Sequence, residues 1–109
     1  TEAASELLSR PARPTAVFAF NDVLADGLMK AARRLGLEIP QELSVVGFDD
    51  STICAMLEPE LSSAHVDCRR MGELSMERMT ALLSGAENVP RLTVVPVELR
   101  VRASSRPRT

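Results

Sequence analysis

The first half of the chain alternates two short apolar runs with one helical pattern. The apolar runs are Ala16–Phe20 and Ser44–Phe48, and continuous apolar runs of this length are typical of strands covered on both faces. Between them, a helix that begins near Asn21 and closes at Gly36 is predicted from apolar residues at helical spacing: Leu24, Leu28, Ala31 and Leu35. Two strands joined by a helix predict a parallel βαβ unit with a right-handed crossover.

Four further elements are predicted in the second half: a short helix at 50–57, a strand at 61–66, a long helix at 68–83 and a strand at 92–101. Pro96 interrupts the last strand, which favours an edge position or a crossover between sheets. The long helix carries a broad apolar stripe, formed by Met71, Leu74, Met79, Leu82 and Leu83. The chain is predicted to open in the last turns of a helix and to end in a frayed polar tail, SSRPRT. The fold class is therefore α/β with a parallel sheet.

The length and composition of the chain limit the classes of protein to which it can belong. The 109 residues suffice for one small domain, and the net charge of −2 argues against a nucleic-acid surface formed by the chain as a whole. The N-terminus has no basic leader followed by an apolar core, so no signal peptide is predicted. The chain also has no initiator Met, which leaves open that it is a fragment. Cys54 and Cys68 are predicted to be free thiols in a reducing compartment, with a single bridge as the alternative.

Most catalytic and cofactor signatures are missing from the sequence. The five glycines are too scattered for a phosphate-binding loop, and no Cys/His spacing suits zinc. His65 is the only histidine and has no positioned nucleophile near it, so we interpret it as a structural residue. No apolar run approaches the ~18 residues of a membrane span. We therefore predict no catalytic residue, no metal, no cofactor and no membrane contact.

Two polar pairs follow the two apolar strands. Asn21-Asp22 follows the first strand and Asp49-Asp50 the second, and ligands of open α/β sheets bind at this carboxyl edge. One residue of each pair is expected to cap the next helix, which leaves the other free. An amide and a carboxylate together suit the vicinal hydroxyls of a sugar or a ribose. Plain capping and a two-carboxylate magnesium site remain the alternatives.

Three stretches of the chain, in order and with matching gaps, resemble the LacI/GalR (lactose-repressor) family of bacterial transcription regulators. They are PTAVFAFNDVLADGLMKAARRLGLEIPQELSVVGFDD, LEPELSSAHVDCRRMGELSMERMTALLSG and VPVELRVRASS. The resemblance covers nearly the whole chain, and the combined FxxND…LGxxIPxxxSVVGFDD pattern is specific. The chain resembles only the C-terminal part of such proteins. The DNA-binding head and roughly the first half of the effector core have no counterpart in the chain.

The resemblance implies a periplasmic-binding-protein-like (type I) effector core whose chain crosses between two subdomains. The expected parts are the C-terminal subdomain, a helix and strand returning to the N-terminal subdomain, and a final crossover strand with the tail, at 1–66, 67–95 and 96–109 respectively. The segments at 61–66 and around Pro96 are then crossovers rather than ordinary central strands. Three apolar residues of the long helix would be partly uncovered in an isolated chain: Met71, Leu74 and Met79.

The resemblance also implies ligand contacts. The family's ligand-contacting Asn corresponds to Asn21 and its sugar-contacting Asp to Asp49, which leaves Asp22 and Asp50 as helix caps. A third contact corresponds to Cys68, at a place where the family often has an aromatic residue that stacks on the ligand. A cysteine there argues against a stacked pyranose and leaves the identity of the ligand open.

Family members dimerise through faces that include the helix after the Asn-Asp motif and the segment after the second strand. Asp26, Met56 and Leu57 correspond to those faces, so a homodimer is expected. Packing of Met56 and Leu57 within their own subdomain is the alternative.

The function implied by the resemblance is sensing, without chemistry on the ligand. A sugar, nucleoside or purine effector would bind the cleft between subdomains and shift the population of subdomain angles, and so change DNA binding by the missing head in the cytoplasm. The first alternative is an exported sugar-binding protein of the same fold, serving transport or chemotaxis. The second is a magnesium-dependent, receiver-like or hydrolase-like enzyme domain that uses Asp49 and Asp50. The third is a fragment that binds nothing by itself.

Overall fold

Helices and strands alternate along most of the chain. In the computed structural model, which describes residues 2–108, the elements are α1 Glu2–Leu8, β1 Ala16–Phe18, α2 Asp22–Arg34, β2 Ser44–Asp49, a 3-10 helix Thr52–Ala55, β3 Ser62–His65, α3 Cys68–Leu83 and β4 Glu98–Arg100. They fall into two units, one formed by residues 1–65 and 98–109 and the other by residues 66–97. Residues 1 and 109, the ends of the predicted first helix and polar tail, lie outside the described residues.

The sheet belongs to the first unit and has the order β1-β2-β3-β4. Strands β1, β2 and β3 are parallel, and β4 runs antiparallel to β3. The predicted parallel βαβ unit, β1-α2-β2, is therefore confirmed. Strand β3 lies between two neighbours, so the segment predicted as a crossover is a central strand, and the chain leaves the first unit directly after it.

Helix α2 ends where the sequence predicts, but not all of its apolar residues are buried. Gly36 adopts the left-handed conformation, with φ of +71°, directly after the last turn. Of the four apolar residues at helical spacing, Leu24 and Leu35 are 57% and 43% exposed. The buried face consists of mostly small residues that let the helix approach the sheet closely: Asp22, Ala25, Leu28, Met29, Ala31 and Ala32.

The core of the first unit is aliphatic. Leu8, Leu43, Val45 and Leu61 are buried with the inner face of α2. Strand β1 is an edge strand of three residues, and Phe18 on it is 67% exposed. The prediction that this strand is covered on both faces is therefore wrong, because the face that carries Phe18 is open in the described part of the chain.

The C-terminal segment is anchored in the sheet. Ser104 is fully buried, and its N–H donates to the Glu60 carbonyl at 2.9 Å while its own carbonyl accepts from the Val45 N–H at 2.8 Å. The Ser104 hydroxyl donates to the Val45 carbonyl at 2.6 Å and accepts from the Ser62 N–H at 2.8 Å. The predicted frayed tail is wrong at Ser104, because this serine is buried and hydrogen-bonds to backbone groups of Glu60, Ser62 and Val45.

The second unit contains α3 and an extended segment. Asp67 caps α3 by accepting a hydrogen bond from the Arg70 N–H at 2.9 Å. No residue of α3 is buried, and Met71 and Met79 are 46% and 53% exposed, as expected for this helix in an isolated chain. The strand predicted at 92–101 is reduced to β4, since residues before Glu98 pair with no strand in the described part of the chain. Across residues 2–108, no helix is both long and apolar enough to cross a membrane.

Candidate functional site

Two polar pairs meet at the carboxyl edge of the parallel strands. Strand β1 leads into Asn21, and β2 ends at Asp49. The ladder between these strands ends with Phe18 paired with Val46, so both polar pairs follow the carboxyl ends of neighbouring parallel strands. On the other side of β2, Asp49 pairs with His65. At this edge of the sheet, Asp49 and His65 therefore lie on adjacent strands, and Asn21 follows the end of the third.

Asn21 is the residue that caps α2. Its backbone is extended, and its Oδ1 accepts a hydrogen bond from the Leu24 N–H at 2.9 Å. The prediction that Asp22 is the cap and Asn21 is entirely free is therefore wrong. The cap uses only the oxygen of the Asn21 amide, and Nδ2 bonds to none of the other residues in 2–108. An amide donor therefore remains available at the carboxyl edge of the strands, where Asn21 and Asp49 lie, which we call the rim.

Asp22 is a buried carboxylate rather than a cap, and it was missed as a functional residue by the sequence prediction. It is 2% exposed. Its Oδ2 accepts from the backbone N–H and the hydroxyl of Ser51 at 2.7 and 2.8 Å, and its Oδ1 accepts from the Ser63 hydroxyl at 2.6 Å. Burial raises the pKa of a carboxyl, but the hydrogen bonds from Ser63 and Ser51 outweigh burial and leave the pKa of Asp22 below its ordinary value. Asp22 therefore fastens the start of α2 to the end of β2 and to β3.

Asp49, the last residue of β2, has an exposed side chain and an unusual backbone conformation. It is exposed, and its backbone φ is +101°, a region that side-chain-bearing residues rarely adopt. Asp50 follows with φ of +55°. Within residues 2–108 the Asp49 carboxylate accepts no hydrogen bond, so both oxygens are available. Two consecutive residues in the left-handed region at a strand end represent strain of the kind found at binding sites.

Asp50 is engaged inside the unit and does not cap the 3-10 helix. Its Oδ1 lies 2.7 Å from Arg102 Nη2 and its Oδ2 lies 2.9 Å from His65 Nδ1. Burial alone would raise the pKa of Asp50, but the hydrogen bonds and charges of Arg102 and His65 lower it. The same hydrogen bond raises the pKa of Arg102. The capping prediction for Asp50 is therefore wrong, and His65 is a partly exposed structural residue, as the sequence predicts.

The two cysteines differ in burial and both are free thiols. Cys54 is fully buried in the first unit, where burial and then a hydrogen bond to Asp22 raise the pKa of its thiol to about 11. Cys68, the predicted third ligand contact, is the first residue of α3 in the second unit and is exposed. The prediction of free thiols is confirmed.

The residues predicted for a dimer face have different surroundings. Met56 is 81% exposed, whereas Leu57 is half-buried and packs against the core of its own unit. Asp26 forms an i,i+4 ion pair with Lys30 on the surface of α2. Exposure of Met56 is compatible with a contact to a second subunit, and Leu57 has packing partners already.

No group of three or more His, Cys, Asp or Glu side chains among residues 2–108 is arranged to hold a metal ion. The Asp50 carboxylate is paired with His65 and Arg102 inside the unit, whereas Asp49 is exposed and pairs with no residue in 2–108. Chemically, the Asn21 amide can donate hydrogen bonds and the Asp49 carboxylate can accept them.

Several known proteins are similar to this chain in sequence and in fold. Residues 1–105 match the periplasmic binding protein-like domain family. The HTH-type transcriptional repressor PurR of Vibrio vulnificus (strain CMCP6) is 38% identical over 100 residues, which are 92% of this chain and 30% of that protein. The chain thus spans less than a third of the length of this relative.

Two solved structures superpose on nearly the whole chain. A LacI family transcriptional regulator from Arthrobacter sp. FB24, in complex with lactose, has a TM-score of 0.85 and 32% identity over 96% of this chain and 40% of that chain. The lac repressor dimer bound to operator and the anti-inducer ONPF has a TM-score of 0.89 and 31% identity over 95% of this chain and 36% of that chain.

Proposed function

The chain belongs to the periplasmic-binding-protein-like domain family and corresponds to part of the effector-binding core of LacI-type transcription regulators, and we propose that it senses a small molecule within such a regulator. The family and the α/β fold class predicted from the sequence are confirmed. Its relatives are transcription regulators, and the role proposed here requires no chemistry on the ligand.

The proposed ligand is a sugar or the ribose part of a nucleoside. The observation that supports this class is that Asn21 and Asp49 follow or end neighbouring parallel strands, each with unused hydrogen-bonding capacity at the carboxyl edge. An amide N–H donates to a hydroxyl oxygen, and a carboxylate accepts from two vicinal hydroxyls. The Arthrobacter relative was solved with lactose, a ligand of this chemical class.

We assign Cys68 to the ligand site as its third contact. A thiol is compact and makes no ring-stacking contact, so hydrogen bonds from Asn21 and to Asp49 would supply most of the affinity. Residues 1–66, 67–95 and 96–109 would supply the C-terminal subdomain, the part returning to the N-terminal subdomain and the final crossover.

The proposed mechanism is a shift of population between subdomain angles. A ligand that binds one angle more tightly increases its population, and the shift is limited by the difference in affinity. Operator DNA would be bound in the cytoplasm by a head outside this chain. A homodimer contact would include Asp26, Met56 and Leu57, and the exposure of Met56 supports that assignment.

A thermal-shift screen of the full-length regulator against sugars, sugar phosphates, nucleosides and purines tests the proposal. Two near-isosteric variants sharpen it: Asn21→Asp keeps the oxygen that caps α2 but removes the amide donor, and Asp49→Asn keeps the shape but removes the charge. Glu6→Gln is the matched control, because it changes an exposed carboxylate on α1, away from Asn21 and Asp49 and from the proposed dimer contact.

The expected result is a stabilising compound whose shift disappears in both rim variants and persists in the control. Loss of a charge-assisted hydrogen bond corresponds to roughly 10- to 100-fold weaker binding. A compound that stabilises both rim variants as strongly as the parent would disprove the assignment of Asn21 and Asp49.

An exported sugar-binding protein of the same fold is the alternative function. The two hypotheses differ in DNA binding, which only the regulator requires. Selection of bound genomic fragments by the purified full-length protein distinguishes them: recovery of one specific sequence supports the regulator, and recovery of none, together with sugar binding, supports the exported protein.

A further inference from the structure

Asp50 contacts residues at the two points where the chain passes between the units. The chain leaves the first unit after His65, at the end of β3, and returns to it at Glu98, at the start of β4. These two residues pair in the antiparallel ladder, so the outgoing and returning strands lie side by side. The Asp50 carboxylate contacts His65 at 2.9 Å and Arg102 at 2.7 Å, and Arg102 lies just beyond β4.

Arg102 also binds the other end of β3. Its Nη1 donates to the Leu61 carbonyl at 2.8 Å, while its backbone N–H donates to the Ser62 hydroxyl at 2.8 Å. The Asp50 side chain is 11% exposed and that of Arg102 is 23% exposed, so water screens their attraction less than at the surface. Both connecting strands are therefore fastened to one carboxylate.

The carboxylate is one residue away from the predicted ligand contact. Asp49 and Asp50 both have positive φ, and the Asp50 N–H is held by the Ser63 hydroxyl at 3.1 Å. Ser63 in turn donates to the buried Asp22. The backbone between the two carboxylates is therefore strained and held by the neighbouring strand β3.

We propose that Asp50 is a positioning residue that transmits ligand binding at Asp49 to the two strands connecting the units. The inference rests on the proposed function and adds to it the physical link between ligand and interdomain strands. Asp49 contacts the ligand in this scheme, whereas Asp50 sets the directions in which β3 leaves the first unit and β4 returns to it.

The test is a ligand-free measurement on the full-length regulator. One spin label is attached to the exposed Cys68 in the second unit and another to Arg34→Cys at the exposed end of α2, with other reactive cysteines replaced. Double electron–electron resonance then gives the distribution of distances between labels. The variants change the Asp50 network, which consists of Asp50, His65 and Arg102. They are Asp50→Asn, Arg102→Gln and the milder His65→Gln, which removes one of the two contacts of the Asp50 carboxylate.

Two variants serve as controls. Glu6→Gln changes an exposed carboxylate of α1 that pairs with Arg10, outside the contacts of Asp50. Arg13→Gln breaks the pair with Glu42 at the amino ends of the strands, so it reports a loss of stability in the same unit without touching the Asp50 network. Thermal unfolding of each variant confirms that it is folded before labelling.

We expect a broader distance distribution with a shifted mean in Asp50→Asn and Arg102→Gln, a smaller change in His65→Gln, and the parent distribution in both controls. If Asp50→Asn does not fold, His65→Gln decides. Parent-like distributions in the folded network variants would overturn the proposal, and so would equal broadening in Arg13→Gln. Because no ligand is used, this result is independent of whether a compound in the thermal-shift screen binds.

Discussion

Gly47 and Asp22 lie so close together that a Cβ atom on residue 47 would overlap Asp22 Oδ1. The same Cβ would lie 3.1 Å from Leu61 Cδ2 and 3.3 Å from Asp22 Cα, so a side chain at residue 47 would crowd several neighbouring atoms at once. A glycine in the middle of an apolar strand therefore has a specific purpose here. It leaves the space through which the Asp22 carboxylate reaches Ser51 and Ser63.

Gly47→Ala is expected to destabilise the protein by about 2–3 kcal/mol, because the methyl group must displace a buried, hydrogen-bonded carboxylate. Urea denaturation followed by circular dichroism measures the change. Gly72→Ala is the matched control, since a Cβ there meets nothing within 4 Å in the described part of the chain. In a helix interior that substitution stabilises by about 0.5–1 kcal/mol. Equal effects of the two substitutions would contradict the close packing of Gly47 and Asp22.

Acid should weaken the fold through Asp22 and Asp50. Both carboxyls have pKa values lowered in the folded state, so their ionised forms are favoured by folding. That stabilisation is fully present above the unfolded pKa, about 3.9, and is lost as pH falls through the lower folded pKa. We expect the urea midpoint to be steady from about pH 7 to 5 and to fall below about pH 4.

Asp22→Asn isolates the contribution of the buried carboxylate. The amide group places a donor where Ser63 and Ser51 already donate, so stability at neutral pH should fall by about 1–3 kcal/mol. The variant should also lose less stability in acid than the parent. Asp26→Asn is the control, because its i,i+4 pair with Lys30 contributes only about 0.3–0.5 kcal/mol. An acid profile unchanged by Asp22→Asn would assign the acid sensitivity to other carboxyls.

The polar pairs show which features local sequence can predict. Asn and Asp are nearly equal as helix N-caps, so sequence indicates that one residue of Asn21-Asp22 caps α2 without deciding which. The partners of Asp22 lie 29 and 41 residues further along the chain, at Ser51 and Ser63. Only folding brings these serines to the carboxylate, and no local pattern identifies them. The assignment of Asn21 and Asp49 as ligand contacts stays a prediction.

The strands show the same division between local and distant information. The β1-α2-β2 unit is predicted correctly because an apolar run and helical spacing are properties of neighbouring residues. The strand predicted at 92–101 is too long, because pairing with β3 begins only at Glu98. Valines favour an extended backbone, but a strand requires a partner. Helical spacing predicts α2 but does not decide which of its apolar residues are buried, and Leu24 and Leu35 are exposed because packing on the sheet decides that.

The two thiols should react at very different rates in the folded protein. Burial, and then the hydrogen bond to Asp22, raises the pKa of Cys54 to about 11, so only about one Cys54 in a thousand is a thiolate at pH 8. Cys68 is exposed. Titration with a chromogenic disulfide at pH 8 should detect one fast thiol in the parent and none in Cys68→Ser, with the second appearing on unfolding. Two fast thiols would mean that Cys54 is accessible.

Ser104 provides the last test, because its burial contradicts the polarity of the tail around it. Ser104→Ala removes the hydroxyl that serves both the Ser62 N–H and the Val45 carbonyl, and two buried backbone groups lose a partner. The expected cost is about 1–3 kcal/mol, measured by urea denaturation.

Two truncations separate the anchor from the end of the tail. A chain ending at Arg106 keeps Ser104 and the bond from Arg106 Nη2 to the Gln41 carbonyl, so its stability should stay within about 0.5 kcal/mol of the parent. A chain ending at Ala103 loses the Ser104 backbone and side-chain bonds together, which should cost more than Ser104→Ala alone. Equal stability of the two truncated chains would show that the segment is frayed, as its polarity predicts. Unequal stability would show that a single buried serine joins the C-terminal segment to β2 and β3.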